Sequence, residues 1–360
     1  MVEKTRIERL RGLMADNSLD ALLVTDISNV FYLTGFTGSA AVVAVTKSNV
    51  YLLTDPRYTT QALEQCPSSN IVEYAAKPTT VAVSELLNDL PVNRVGYEAD
   101  QVSVSYYRTV RRHTKPSISM RATRGLVESL RRVKDADEIE IIQKACEIAD
   151  ATFASLIQNI SIGMTEKEVA LQVDTTLRRL GADKEAFDTI AASGPRAASP
   201  HASPTEAVLG PNMLLKLDFG ARYGNYNSDI TRTVCLGAPD EKQREIYNIV
   251  LEAQIRAIEA IGPGKPGWEI DAVARDYIAS KGYGDNFRHG LGHSIGILVH
   301  DGQALSQTSN IILEPGMVVT VEPGIYVEGW GGVRIEDDVL VTDSGRSILT
   351  RADKQLIDIS

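Results

Sequence analysis

Four carboxylates in this 360-residue chain stand on otherwise apolar runs, where an uncompensated acid is costly. Asp218 sits in Leu217-Asp218-Phe219-Gly220 and Asp229 in Ser228-Asp229-Ile230-Thr231-Arg232-Thr233, 11 residues apart on the predicted arms of one hairpin. A second predicted hairpin carries Glu322 in Val321-Glu322-Pro323-Gly324 and Glu336 in Val333-Arg334-Ile335-Glu336-Asp337, 14 residues apart. Between the hairpins lies His289-Gly290-Leu291-Gly292-His293-Ser294-Ile295-Gly296, followed by His300. A pair of divalent cations would compensate four carboxylates fully, and carboxylate plus imidazole donors suit Mn, Co, Fe or Zn. Two metals about 3.5 to 4 Å apart could hold a bridging hydroxide for hydrolysis.

Competing motifs are incomplete. Asp218-Phe219-Gly220 has the letters of a kinase DFG, but neither an HRD-type loop nor a glycine-rich ATP loop accompanies it. Residues 290–296 spell GxGxxxG rather than GxGxxG, and no Glu follows His289, so the HExxH zinc motif is absent.

Composition narrows the classes. Lys and Arg number 37 against 47 Asp and Glu, a net charge of −10 with no basic block, which argues against a nucleic-acid binder. Residues 1–140 hold 17 basic and 17 acidic side chains and residues 141–360 hold 20 and 30, so the whole excess falls in the second part. Four of the five histidines are there too; His113 is outside. Cys66, Cys146 and Cys235 are too far apart for a CxxC motif, and a reducing compartment is expected. The N-terminal residues lead into an amphipathic pattern rather than an apolar leader, and no apolar run approaches the roughly 20 residues of a membrane span. A soluble cytoplasmic protein that does not meet the membrane is expected.

The elements that must hold these residues fall into two parts. In the first, a helix over 4–17, strands at Ala21–Val24, Ala40–Val45, Val50–Leu53 and Val95–Tyr97, and helices near 57–66, 79–90 and 103–113 predict an α/β domain. The charged stretch Arg131 to Glu138 then caps a long helix with Ile139, Ile142, Cys146, Ala149 and Phe153 on one face. The domain boundary is placed near residue 130, giving domains of 1–130 and 131–360. In the second, Gly163, Glu168, Val169, Leu177 and Gly181 recur 101 residues later as Gly264, Glu269, Ile270, Ile278 and Gly282, with a capping box at Thr165 and Glu168. Two copies suit one domain with pseudo-twofold symmetry and a site between its halves. Strands are expected at Met213–Gly220, Ser228–Leu236, Met317–Val321 and Val333–Val341, forming two acid-bearing antiparallel hairpins.

On these motifs the sequence resembles the metal-dependent Xaa-Pro peptidases, prolidase and aminopeptidase P, relatives of methionine aminopeptidase. The resemblance covers essentially the whole chain, because Tyr32-Leu33-Thr34-Gly35-Phe36-Thr37-Gly38-Ser39 and Thr54-Asp55-Pro56-Arg57-Tyr58 are similar to the family's N-terminal domain. It implies a creatinase-N-like, ribonuclease H-like α/β domain followed by an α+β pita-bread catalytic domain. It implies Asp218, Asp229, His293, Glu322 and Glu336 as ligands of two divalent metal ions, most simply Mn2+, with Co2+ or Zn2+ as alternatives. His201 in Ser-Pro-His-Ala-Ser-Pro-Thr, His300 and His289 match substrate-side histidines, and Arg334 and Tyr326 match an Arg and a Tyr beside the metal glutamates. Two positions depart from the pattern: Ser294 where Gly commonly follows the metal His, and Asp301 where Glu is usual.

The expected chemistry is exopeptidase cleavage of a peptide with proline second, Glu322 moving the proton, by a homodimer. A non-hydrolytic pita-bread binding protein, a creatinase-like amidinohydrolase working without metal and methionine aminopeptidase itself are the alternatives. The complete ligand set disfavours the first two; the extra N-terminal domain and the His201 motif disfavour the third.

Overall fold

The computed structural model describes residues 2–359, which divide into two compact units, one ending at Arg131 and the other starting at Arg132. The first runs α1 Val2–Asp16, β1 Ala21–Val24, α2 Ile27–Thr34, β2 Ala41–Thr46, β3 Val50–Thr54, α3 Thr59–Gln65, β4 Asn70–Glu73, α4 Thr79–Asp89, β5 Arg94–Glu98, α5 Val104–His113, β6 Ser119–Thr123 and α6 Leu126–Arg131. Its six strands form one mixed sheet in the order β4-β3-β2-β1-β5-β6. The apolar runs became the central strands, with Leu23, Val42, Leu53 and Val95 in the core. Sequence pattern missed β4 and β6 because these edge strands are half exposed and carry no apolar run. It also missed α2, whose limits are chemically marked: Asp26 accepts from the Ser28 and Asn29 amides, and Gly35 ends the helix at φ +74°.

The second unit begins with α7 Ala136–Leu156 and α8 Glu166–Arg179, continues through β7 Lys184–Glu185, β8 Ile190–Ser193, β9 Met213–Phe219, β10 Ala221–Tyr223, β11 Tyr226–Asn227 and β12 Ile230–Leu236, and reaches α9 Glu241–Ala260 and α10 Gly267–Ser280. It closes with β13 Gly292–His293, β14 Gln303–Leu305, β15 Val318–Val321, β16 Gly324–Val327, β17 Gly331–Arg334, β18 Asp337–Thr342, β19 Gly345–Ile348 and β20 Asp358–Ile359. Asp135 and Glu138 form a reciprocal capping box on α7, and Thr165 and Glu168 form one on α8.

The repeat of 101 residues is structural. Each copy is a long helix followed by a 14-residue helix with a positive-φ glycine just past its end, Gly181 at +107° and Gly282 at +87°. Gly163 donates to the Leu209 carbonyl as Gly264 does to that of Leu313, and isolated bridges join Thr165 to Val208 and Pro266 to Ile312. Each copy is followed by nested hairpins. β9 pairs with β12 outside β10 with β11, and β15 pairs with β18 outside β16 with β17, all antiparallel. The expected Val333–Val341 strand is therefore two strands in two sheets, β17 and β18, interrupted at Ile335 and Glu336. Among the described residues no helix is long and apolar enough to cross a membrane.

Candidate active site

The breaks in the nested hairpins are where the acids sit. Asp229 precedes β12, Glu322 lies between β15 and β16 and Glu336 between β17 and β18, while Asp218 is the penultimate residue of β9. Register completes the placement: Asp218 faces Thr231, and Val321 faces Asp337. Gly292, whose added Cβ would lie 1.9 Å from the Thr320 carbonyl oxygen, lets the His293 backbone approach β15. A cavity of about 570 Å3 is lined by Asp218, Asp229, Glu322, Glu336, His201, His289, His293, His300 and Arg334.

One carboxylate oxygen from each of Asp229 and Glu336 and a ring nitrogen of His293 lie within 4.8 Å of one another. His293 Nε2 stands 3.6 Å from Asp229 Oδ2 and 3.5 Å from Glu322 Oε1. Its Nδ1 faces the Ser294 carbonyl at 3.1 Å and must be the protonated nitrogen, because a carbonyl only accepts. The Nε2 lone pair therefore points at the acids, as in a metal-ligating histidine. Burial lowers the His293 pKa, favouring the neutral form that binds a cation. Ser294 is not among the residues with positive φ, so a serine fits that departure without strain; buried Asp301 donates its amide to the Ser294 carbonyl at 2.8 Å.

Asp218 is in the cavity but outside that three-residue group. The Arg334 guanidinium holds its Oδ2, and the same guanidinium reaches Thr231 Oγ1 at 3.0 Å, Tyr326 Oη at 2.8 Å and the Pro200 carbonyl at 3.3 Å. Tyr326 accepts from this guanidinium. It donates to His289 Nε2 at 3.0 Å, while His289 Nδ1 donates to the Gly290 carbonyl at 2.7 Å, so a directed chain runs from Arg334 through Tyr326 to His289. Burial, with Arg334 nearby, drops the His289 pKa to about 4 and keeps that ring neutral. His201 and His300 are exposed to the cavity, and the His300 ring centroid is 4.1 Å from that of His293.

The site carries more negative charge than its protein groups balance. Burial pushes the Asp229 and Glu336 carboxyls well above their usual range, reinforced for Asp229 by Glu336 and for Glu336 by Glu322; burial lifts Glu322 to about 7. Asp229 Oδ1 and Glu336 Oε1 are buried with no hydrogen-bond partner. Buried acids with unpartnered oxygens clustered beside a neutral imidazole are the donor set that a hard or borderline divalent cation requires, so these residues fit a metal centre.

Residues 140–343 match Metallopeptidase family M24, and residues 6–133 match the Creatinase/Prolidase N-terminal domain. The chain belongs to family M24. It is 38% identical over 358 residues to the Xaa-Pro dipeptidase of Pyrococcus furiosus, covering 98% of this chain and 100% of that one. A solved Xaa-Pro dipeptidase from Bacillus anthracis superposes with a TM-score of 0.96 at 42% identity, covering 99% of both chains. The X-Pro aminopeptidase of Thermotoga maritima gives 0.90 at 38%, covering 95% of this chain and 98% of that one.

Several supports of this candidate site escaped sequence reading. Thr231 donates to Glu336 Oε2 at 2.6 Å, Thr320 donates to Glu322 Oε1 at 3.2 Å and accepts from the His293 amide, and Asp338 accepts from the Asp229 amide at 2.9 Å and from Cys146 Sγ. Alternation along β12 sends Arg232 to the opposite face, where it pairs with Asp337 at 2.8 Å. The only sequence signal for Thr231 and Asp338 is their adjacency to the acids. Phe187, Thr189, Ile190 and Val299 also line the cavity and carry no motif that could have marked them.

Proposed function

We propose that the chain is a dinuclear-metal exopeptidase that hydrolyses the bond between an N-terminal residue and proline, as an Xaa-Pro aminopeptidase or Xaa-Pro dipeptidase. The observation that carries this reading is the convergence of Asp229, His293 and Glu336 within 4.8 Å, with Glu322 beside them and two buried carboxylate oxygens unbonded. The proline specificity is supported by relatives that bear both the dipeptidase and the aminopeptidase name. Asp218, Asp229, His293, Glu322 and Glu336 would hold two divalent cations, Mn2+ suiting four carboxylates and one imidazole. Such cations supply Lewis acidity toward the scissile carbonyl and lower the pKa of water. Cytoplasmic location and a homodimer complete the reading.

The chain's own residues do the rest. A Glu322 carboxylate oxygen takes the proton of the attacking water and delivers it to the proline nitrogen, a tertiary amide nitrogen that must be protonated to leave. His201 and His300 face the same cavity, and one or the other donates to the oxyanion that forms on the carbonyl. Arg334, anchored by Thr231 and Tyr326, orients the Asp218 carboxylate. Parallel assays of Ala-Pro and Ala-Pro-Ala, with Mn2+ supplied and after dialysis against chelator, test the proposal. Cleavage after the first residue that disappears with the metal is expected; full activity without metal, or none on either peptide with it, refutes it.

A further inference from the structure

Lys216 is a buried amine for which the catalytic scheme above has no task; burial, with Arg334 nearby, lowers its pKa to about 6. It shares a face of β9 with Asp218, two residues on, and is fully buried. Its Nζ is taken up by backbone, donating among the carbonyls of Ala197, Ser199 and Pro200 at 3.3, 2.6 and 3.1 Å. It also lies 5.2 Å from the centroid of the Tyr326 ring. An apolar side chain would avoid burying a polar group there but would leave these carbonyls without that donor.

The segment so gripped is the strap that carries His201. Its early part is the 3-10 helix Gly194–Ala198. Its later part is held from Glu166, which accepts from Arg196 Nε and from the Thr205 amide, and by Arg196, which donates to the Ser203 carbonyl at 2.7 Å. His201 stands between these anchors, and among the described residues its exposed ring makes no side-chain hydrogen bond, so its backbone decides where it stands. The carbonyl of the peptide bond entering His201, that of Pro200, is shared by Lys216 and Arg334 at 3.1 and 3.3 Å.

We propose that Lys216 is a positioning residue for hydrolysis: by clamping the carbonyls of residues 197, 199 and 200 it sets His201 at the distance from the acids at which it can meet the oxyanion. The proposal rests on the role given to His201 above. A double-mutant cycle of Lys216→Met and His201→Ala, assayed for kcat, KM and Mn2+ stoichiometry, tests it. Lys216→Met is expected to lower kcat about tenfold to a hundredfold, the cost of a misplacement near 1 Å, with KM and metal content unchanged. Added to His201→Ala it should lower kcat no further, and Lys216→Gln, which keeps two donors, should recover part of the loss. An undiminished kcat in Lys216→Met, an equal loss in the presence and absence of His201, or a loss traced to missing metal overturns the proposal. If Lys216→Met does not fold, Lys216→Gln takes its place in the same cycle with the same criteria. An unchanged kcat in His201→Ala also overturns it, whereas the reading as an Xaa-Pro peptidase stands or falls on the chelator and peptide assays.

Discussion

Replacing Glu322 by Gln is expected to stabilise the metal-free protein at neutral pH while abolishing its hydrolysis. Burial raises the Glu322 carboxyl from an ordinary 4.5 to about 7, against the pull of Arg334. Between those values the folded chain binds more protons than the unfolded chain, so this group favours folding fully below pH 4.5 and loses that contribution as pH rises toward 7. A shift of about 2.5 units at about 1.36 kcal/mol per unit makes the ionised carboxyl cost about 3 kcal/mol at pH 7.5 and under about 1 kcal/mol at pH 5. Gln has no proton to gain and keeps an oxygen for the Thr320 hydroxyl. The advantage of the variant over the parent should therefore be small at pH 5 and grow by about 2 to 3 kcal/mol at pH 7.5. Urea denaturation of both metal-free proteins at the two pH values measures it. With Mn2+ added the order should reverse, because the parent gains binding energy that the variant lacks. A variant no more stable than the parent at pH 7.5, or a gap independent of pH, would refute the picture of an over-charged acid cluster.

Thr231→Val keeps the shape of a fully buried side chain but removes the donor to Glu336 Oε2 and the acceptor for Arg334 Nε. Metal affinity by calorimetry should fall about 10- to 100-fold with the fold retained, as for other groups that orient a ligand. Gly292→Ala would bring a methyl group to 1.9 Å from the backbone oxygen of Thr320. The strand cannot yield as a flexible side chain would, so destabilisation of about 3 kcal/mol or more is expected in thermal melts, together with weaker metal binding through the displaced His293.

The acids were legible in the sequence because each breaks a local rule: a carboxylate on an apolar strand has to be explained, and four in the same segment as a glycine-rich histidine run suggest a cation. The helices of the repeat were legible from their caps, Thr165 with Glu168 and the glycines at 181 and 282. What sequence pattern could not supply was register. Ile335 and Glu336 read on smoothly as strand, yet the chain changes sheets there, because β18 pairs with β15 while β17 pairs with β16. The partners of the acids follow from that pairing. Thr231 meets Glu336 across 105 positions and Asp338 meets the Asp229 amide across 109, separations over which local propensity carries no information. Lys216 read as an ordinary strand residue, since its three acceptors belong to a strap of irregular backbone.

The nested hairpins also bear on the lifetime of the fold. Cys66, Cys146 and Cys235 are buried thiols, so this chain is not tied by disulfides of its own cysteines. The proposed ligands Asp218 and Glu336 are 118 positions apart and come from opposite halves of the pseudo-twofold repeat. Ions bound between such halves act as a reversible cross-link, closing a long loop in the way that a disulfide would and restricting the unfolded chain for as long as they stay bound. Resistance to proteolysis would then be set by metal supply: replete protein is expected to persist, and depleted protein to be digested faster.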